Sequence, residues 1–225
     1  MERKRIHVLD IPIDVLPPGT FESAIQELLL KVGPRQIIFL SVWDLLKARG
    51  KNDFAQTVKN ADLVIPISKS IVKGAVFLNQ TAPERYNPFE AIISILYTLD
   101  AQNRSLYILG GKKKVLMEAE RNVRATFPSL RIVGCYIGHY PQSMENDIIS
   151  AIRKASPSVI LLSEGIPDKK NWYYRRRAFF SNSFTKESSI FVHYPEAVGV
   201  FSKNRQTCLQ HGFRQGFGNL DRDFS

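Results

Sequence analysis

"LYILGGKKKVLMEAERNV" occupies residues 106–123. The apolar run Ser105 to Leu109 has the length and character of a buried strand and stops at Gly110-Gly111. A helical stretch, Lys112 to Phe127, follows at once. Strand, glycine turn and helix form one βα step, and the question is whether the chain repeats it.

It does. On the C-terminal side the pattern predicts a strand at Leu130 to Tyr136, a helix at Met144 to Ala155, a strand at Val159 to Leu162, a helix at Lys169 to Phe180 and a strand at Ile190 to Val192. On the N-terminal side it predicts a strand at Ile6 to Ile13 and a turn at Pro17-Pro18-Gly19. A helix over Phe21 to Val32 follows, capped by Thr20 and ended by Gly33-Pro34. Then come a strand at Ile37 to Val42, helices at Asp44 to Arg49 and Asp53 to Asn60, and a strand at Leu63 to Ile65. Helices at Ser70 to Leu78 and Pro88 to Leu99 complete the series. Short apolar strands alternating with helices predict an α/β, Rossmann-like, doubly wound and mostly parallel sheet with helices on both faces. The expected organisation is a single domain over 1–206 and a polar, glycine-containing tail over 207–225.

With 44% hydrophobic residues in 225, the chain can bury a sizeable core. Its net charge of +10 favours an anionic partner: a nucleotide, a phosphorylated lipid, a membrane surface or a nucleic acid. Two cysteines without a CxxC pair and four scattered histidines argue against a zinc site or a disulfide framework. No metal and no cofactor is expected. No run approaches the length of a membrane span, and the basic N-terminus lacks the apolar core of a signal peptide. The expected location is cytoplasmic, with at most peripheral membrane contact; a homo-oligomer is left open.

Three stretches could carry chemistry. Gly110 and Gly111, followed by Lys112, Lys113 and Lys114 at a helix N-terminus, read either as a diphosphate cradle or as a tight βα turn with solvated lysines. In "RIVGCYIGHY", 131–140, Gly138, His139 and Tyr140 stand where a strand end would present them to a base or a phosphate, or form a satisfied aromatic pair. In "EGIPDKKNWYYRRRAFF", 164–180, a strand ends at Glu164-Gly165, Asp168 can cap a helix, and Arg175, Arg176 and Arg177 interleave with aromatics. That helix suits an anion, or a solvated cationic face with its aromatics turned inward.

Taken together, these stretches resemble bacterial glycosyltransferase family 26, the WecG/TagA/CpsF type. The resemblance rests on Ile108-Leu109-Gly110-Gly111, Phe127-Pro128-Ser129-Leu130, Ile132-Val133-Gly134, Tyr136 and Gly138-His139-Tyr140. Ala61 to Ser68 resembles the family's "ADLV.PDG", and Gly165 to Trp172 its "G.PKQE.W"; the likeness covers roughly residues 6 to 205. It implies transfer of an N-acetylhexosamine from a UDP-sugar to a polyprenyl-diphosphate acceptor at the inner membrane face, in cell-envelope polysaccharide synthesis. Such a reaction needs a base for the acceptor hydroxyl.

The departures fall on the chemical positions. The family's aspartate in "PDG" is Ile67 here and its glycine is Ser68, beside Pro66. Its "T.N" becomes Ser41-Val42-Trp43, and the glutamine and glutamate of "PKQE" become Lys169 and Lys170; Arg85 keeps the family's arginine. The resemblance therefore implies substrate contacts at Trp43, Pro66, Ser68, Arg85, Gly110, Gly111, Lys112, Gly138, His139, Tyr140, Gly165, Lys169 and Trp172. Ser41, Asp62 and Glu164 are the candidates for chemistry. Two readings follow: a transferase with a relocated base and changed substrate, or a non-catalytic binder of a nucleotide-sugar or phosphate descended from the family. A nucleic-acid-binding domain is disfavoured by the resemblance.

Overall fold

The computed structural model describes residues 4–181 and 188–203. The expected tail at 207–225 lies outside them. Eight strands and nine α-helices are seen among these residues. A six-stranded sheet, all of whose pairings are parallel, has the order β4-β3-β8-β7-β5-β6: β3 is Gly33–Leu40, β4 Leu63–Pro66, β5 Ser105–Leu109, β6 Arg131–Tyr136, β7 Val159–Leu162 and β8 Ser188–His193. The Rossmann-like α/β expectation is met.

Both faces of this sheet are covered, which is why its strands read as unbroken apolar runs. Ile37 and Phe39 point into a core completed by α1 (Phe21–Leu30), α5 (Pro88–Ala101), α6 (Lys113–Thr126) and α9 (Ala197–Lys203). Ile38 and Leu40, of opposite parity, point the other way, toward α2 (Val42–Ala48), α3 (Asp53–Lys59) and α4 (Lys69–Phe77). Further along that second face, Tyr107, Leu109, Ile160 and Phe191 meet α7 (Glu145–Ala155) and α8 (Trp172–Phe180) around the wholly buried Trp172.

Three local readings are corrected. The strand expected over Ile6 to Ile13 is two strands, β1 (Lys4–Val8) and β2 (Ile11–Val15), paired antiparallel through Leu9 and Asp10. Both turn residues have left-handed φ, 53° and 62°, with neither the glycine nor the asparagine that usually signals such a hairpin. Gly33-Pro34 does not merely end a helix; it opens β3, pairing with Ser188 and Ser189, a position where proline costs no ladder bond. Thr20 makes no side-chain cap; its hydroxyl donates to the Pro17 carbonyl at 2.7 Å.

The hairpin also shields the sheet's edge. Asp14 on β2, 3% exposed, accepts from the Val64 amide of β4 at 2.7 Å and takes a two-pronged ion pair from Arg5, both contacts 2.8 Å. An open edge strand invites pairing with another chain, and here a buried carboxylate occupies one of its donors.

Candidate functional site

Since all six strands run in parallel, their C-terminal ends line one edge, where ligands of open α/β sheets bind. In spatial order that edge presents Pro66 of β4, Ser41 after β3, His193 of β8, Ser163-Glu164 after β7, Gly110 after β5, and Gly138 just beyond β6. Ser41 and Pro66 are thus separated from Gly110 and Gly138 by β8 and β7.

At the β5–β6 end, glycines permit close packing. The Gly111 amide donates to the Glu164 carbonyl at 2.8 Å, and the Gly138 amide to the Gly111 carbonyl at 3.0 Å. A Cβ at Gly138 would lie 2.1 Å from the Glu164 carbonyl oxygen, and one at Gly165 would lie 2.4 Å from His139 Nδ1. The Gly110 amide is bonded to the Tyr136 carbonyl at 2.9 Å. Both glycine amides of the expected cradle are therefore occupied by protein carbonyls. The glycine pair knots three strand ends together, and an anion there would meet the exposed side chains of Lys112, Lys113 and Lys114 instead.

At the β4 end, Ile67 is half-buried and packs against the main core, as do Tyr86 and Phe89. Its amide donates to the Leu40 carbonyl at 3.0 Å, and the Tyr86 amide to the Pro66 carbonyl at 2.9 Å. The Ser68 hydroxyl accepts from the Val42 amide at 3.1 Å, tying the β3–α2 turn to the β4–α4 turn. Arg85, exposed beside Tyr86, lines a separate cavity of about 450 Å³ together with Glu84 and Glu90.

The centre of the edge holds the densest polar arrangement. Ser41 caps α2 in a reciprocal box with Asp44: its hydroxyl donates to Asp44 Oδ2 at 2.5 Å and its oxygen accepts from the Asp44 amide at 3.2 Å. Lys170 closes on the same carboxylate at 2.6 Å and donates to the Phe39 carbonyl at 2.7 Å. Burial would push the Asp44 carboxyl up, but the Lys170 charge and the hydrogen bonds from Lys170 and Ser41 hold it below its usual value. Beside this pair lies a cavity of about 490 Å³ lined by Asp44, Asp168, Lys169, Lys170, Asn171 and His193, among others. Burial, followed by the charges of Lys170 and Lys169, drives the His193 imidazole down to about 3, so it stays neutral. His193 Nδ1 and Asn171 Oδ1 are buried without hydrogen-bond partners among the described residues. Neither residue stands out in the sequence, where His193 is only one of four scattered histidines.

Several sequence candidates are placed elsewhere. Asp62 precedes β4, at the opposite end of that strand, where it pairs with Arg35 at 3.0 Å and accepts from the Gln36 amide at 2.9 Å. Trp172 is 0% exposed, and its indole N–H donates to the Tyr140 hydroxyl at 2.9 Å; the Tyr140 hydroxyl in turn donates to Glu145 at 3.3 Å. Burial raises the Tyr140 phenol to about 12. These two rings are packing and hydrogen-bonding residues. Asp168 makes no cap; it takes both Arg175 and Arg176, and Arg176 also reaches Glu145 at 2.6 Å. The anion-binding arginines of the sequence reading are thus largely neutralised from within. Trp43, in contrast, is 77% exposed on α2. Glu164, His139 and Lys169 are exposed, and Glu164 makes no ion pair among the described residues.

Among the described residues no group of three or more His, Cys, Asp or Glu side chains could hold a metal ion, and no helix is long and apolar enough to cross a membrane. Comparison with curated proteins gives no match. The family model described as glycosyl transferase WecG/TagA/CpsF does match, over residues 6–188, which takes in β3 through β7, α8 and the start of β8. With most of its length, and five of the six parallel strands, inside that match, the chain belongs to the WecG/TagA/CpsF glycosyl transferase family.

Proposed function

We propose that the protein binds a UDP-sugar along the C-terminal strand edge and transfers it slowly or not at all to a polyprenyl-diphosphate acceptor, its catalysis impaired or altered relative to the family. One observation carries this reading: Ile67, at the position of the family's aspartate, packs against the core with Tyr86 and Phe89 as neighbours in the same cluster. An alkyl side chain takes no proton, and loss of a general base lowers a rate by about 10²–10⁴. Binding does not need that base. Lys112, Lys113 and Lys114 precede or open α6, whose first-turn amides add positive character for a diphosphate. The acceptor would bring the protein to the inner membrane face as a peripheral visitor.

A second reading keeps activity through another base. Glu164 is exposed at the end of β7, its carboxylate in no ion pair among the described residues, and its carbonyl holds the Gly111 amide. The two readings separate in one experiment. UDP and UDP-N-acetylmannosamine are titrated by calorimetry, and transfer to a short-chain polyprenyl-diphosphate acceptor is followed by UDP release. Binding with transfer at or near background supports impaired catalysis. Robust turnover that disappears in Glu164→Gln supports a relocated base. Absence of UDP binding at millimolar concentration overturns both.

A further inference from the structure

Two short helices turn apolar side chains outward. In α2 the buried residues are Leu45 and Ala48, which leaves Trp43, Leu46 and Lys47 on the opposite side. In α4 the buried residues are Ile71 and Ala75, and Lys69, Lys73, Val76 and Phe77 fall on the side away from them. Trp43 is 77% exposed, Leu46 45%, Val76 55% and Phe77 86%. Both helices cover the same core, and the bond from the Val42 amide to the Ser68 hydroxyl, 3.1 Å, joins their starts. Apolar residues exposed singly are ordinary; four on neighbouring helices mark a contact surface.

Charge decides what contacts it. α4 carries no acidic residue, and Lys69 and Lys73 are exposed and make no ion pair among the described residues. Asp44, the one acid of α2, is held by Ser41 and Lys170. A second copy of the chain, laid on this face about a two-fold axis, would bring lysine onto lysine with no uncommitted carboxylate on either helix to pair with them. An anionic bilayer fits both features. Its headgroups take the lysines, whose stems lie along apolar surface, and its interface takes the tryptophan.

We propose that the outer faces of α2 and α4 dock the protein on an anionic lipid surface, with Trp43, Leu46, Val76 and Phe77 entering the headgroup boundary and Lys69 and Lys73 pairing with lipid phosphates. Both helices start at the C-terminal strand edge, so docking holds that edge beside the bilayer. The inference names the docking surface for the lipid-acceptor reading above and rests on it for the choice of a lipid over a protein partner, but it is tested without the acceptor.

The experiment is vesicle flotation of the full chain with phosphatidylcholine vesicles, with and without about one-third phosphatidylglycerol, and with no polyprenyl lipid present. Binding is expected with the anionic vesicles, at least about tenfold weaker with the neutral ones, and falling as salt is raised. Trp43→Ser and Phe77→Ser, both at exposed positions, should each weaken it about fivefold, and Lys69→Gln combined with Lys73→Gln about thirtyfold. Lys154→Gln makes a charge change on α7, which packs on β6 at the other end of the sheet, and should alter binding by less than about twofold. The chain has two tryptophans and Trp172 is wholly buried, so a blue shift of emission on adding anionic vesicles reports Trp43. No vesicle binding, equal binding to neutral vesicles, an unmoved emission, or a loss in Lys154→Gln as large as in the Lys69 and Lys73 variant each overturns the assignment. So does a dimer in sedimentation velocity that Trp43→Ser dissociates, which gives the face to a second copy. Transfer to a detergent-dispersed acceptor without vesicle binding overturns this surface alone. Vesicle binding by a chain that binds no polyprenyl diphosphate overturns the acceptor reading alone.

Discussion

The ammonium of Lys170 bridges the Asp44 carboxylate at 2.6 Å and the Phe39 carbonyl at 2.7 Å, stitching the turn before α8 to the end of β3 and the start of α2. Both side chains are about one-fifth exposed. A lysine at the position where the resemblance implies a glutamate is therefore a structural clasp that fills part of the strand edge. In Lys170→Met the Asp44 carboxylate keeps only Ser41, and urea unfolding should show a loss of about 2 kcal/mol, below the range for fully buried pairs because of the residual exposure. Adding Asp44→Asn should recover part of that loss. Because the folded-state value of Asp44 is depressed, its contribution is present above the unfolded carboxyl pKa and fades as pH falls through the folded one.

His193 makes stability depend on mild acid. Its imidazole falls from 6.5 to about 3 on folding. Stability from this group is complete above the unfolded value and is lost as pH falls from there toward the folded value, because the unfolded chain takes up the proton first. The slope approaches about 1.4 kcal/mol per pH unit. Chemical denaturation between pH 6.5 and roughly 5, above most carboxylate titrations, should show this slope in the wild type and a flatter one in His193→Phe.

Gly138 and Gly199 form a contrasting pair. A Cβ at Gly138 meets the Glu164 carbonyl oxygen at 2.1 Å, whereas one at Gly199 meets nothing within 4 Å. Gly138→Ala must push the β7 end away from β6 and should cost about 3 kcal/mol or more. Gly199→Ala, inside α9, should be neutral or stabilise by up to about 1 kcal/mol. Thermal unfolding of the two variants checks the order; similar midpoints would contradict the packing described for the strand ends.

Ile67→Asp places the residue type that the resemblance implies here against a core that packs an alkyl chain. The carboxylate would face the cluster containing Tyr86 and Phe89, and stability should fall by about 1–3 kcal/mol. Transfer activity should recover little, since Trp43 and the Lys170–Asp44 clasp remain. Full activity from this single change would show that the edge is otherwise intact.

Fold class was legible because the signals that encode it are local. Ser105 to Leu109, Val159 to Leu162 and Leu63 to Ile65 are apolar runs too short for helices, and each is a strand of the parallel sheet, within one residue of its observed end. The β1–β2 hairpin was hidden because Leu9 takes a left-handed conformation that a leucine rarely adopts, and no glycine or asparagine marks the turn. Helix α9 was missed because its burial depends on α6, a distant partner, as the Asn122 amide reaching the Phe201 carbonyl at 2.8 Å illustrates.

The strand edge divides the same way. The glycines at 110, 111 and 138 and the isoleucine at 67 stand in the sequence, but what they do depends on neighbours that only folding supplies: the Glu164 carbonyl over Gly138 and the core beneath Ile67. The sequence by itself determined a doubly wound α/β chain with glycines just beyond two of its strands, since hydrophobic period and residue type are properties of consecutive positions. Only the tertiary structure decided that β8 inserts between β3 and β7, seating His193 beside a lysine clasped to a carboxylate 126 positions away. Burial, desolvation and ion pairing arise between residues brought together by strand order, and strand order is not written in any short stretch of the chain.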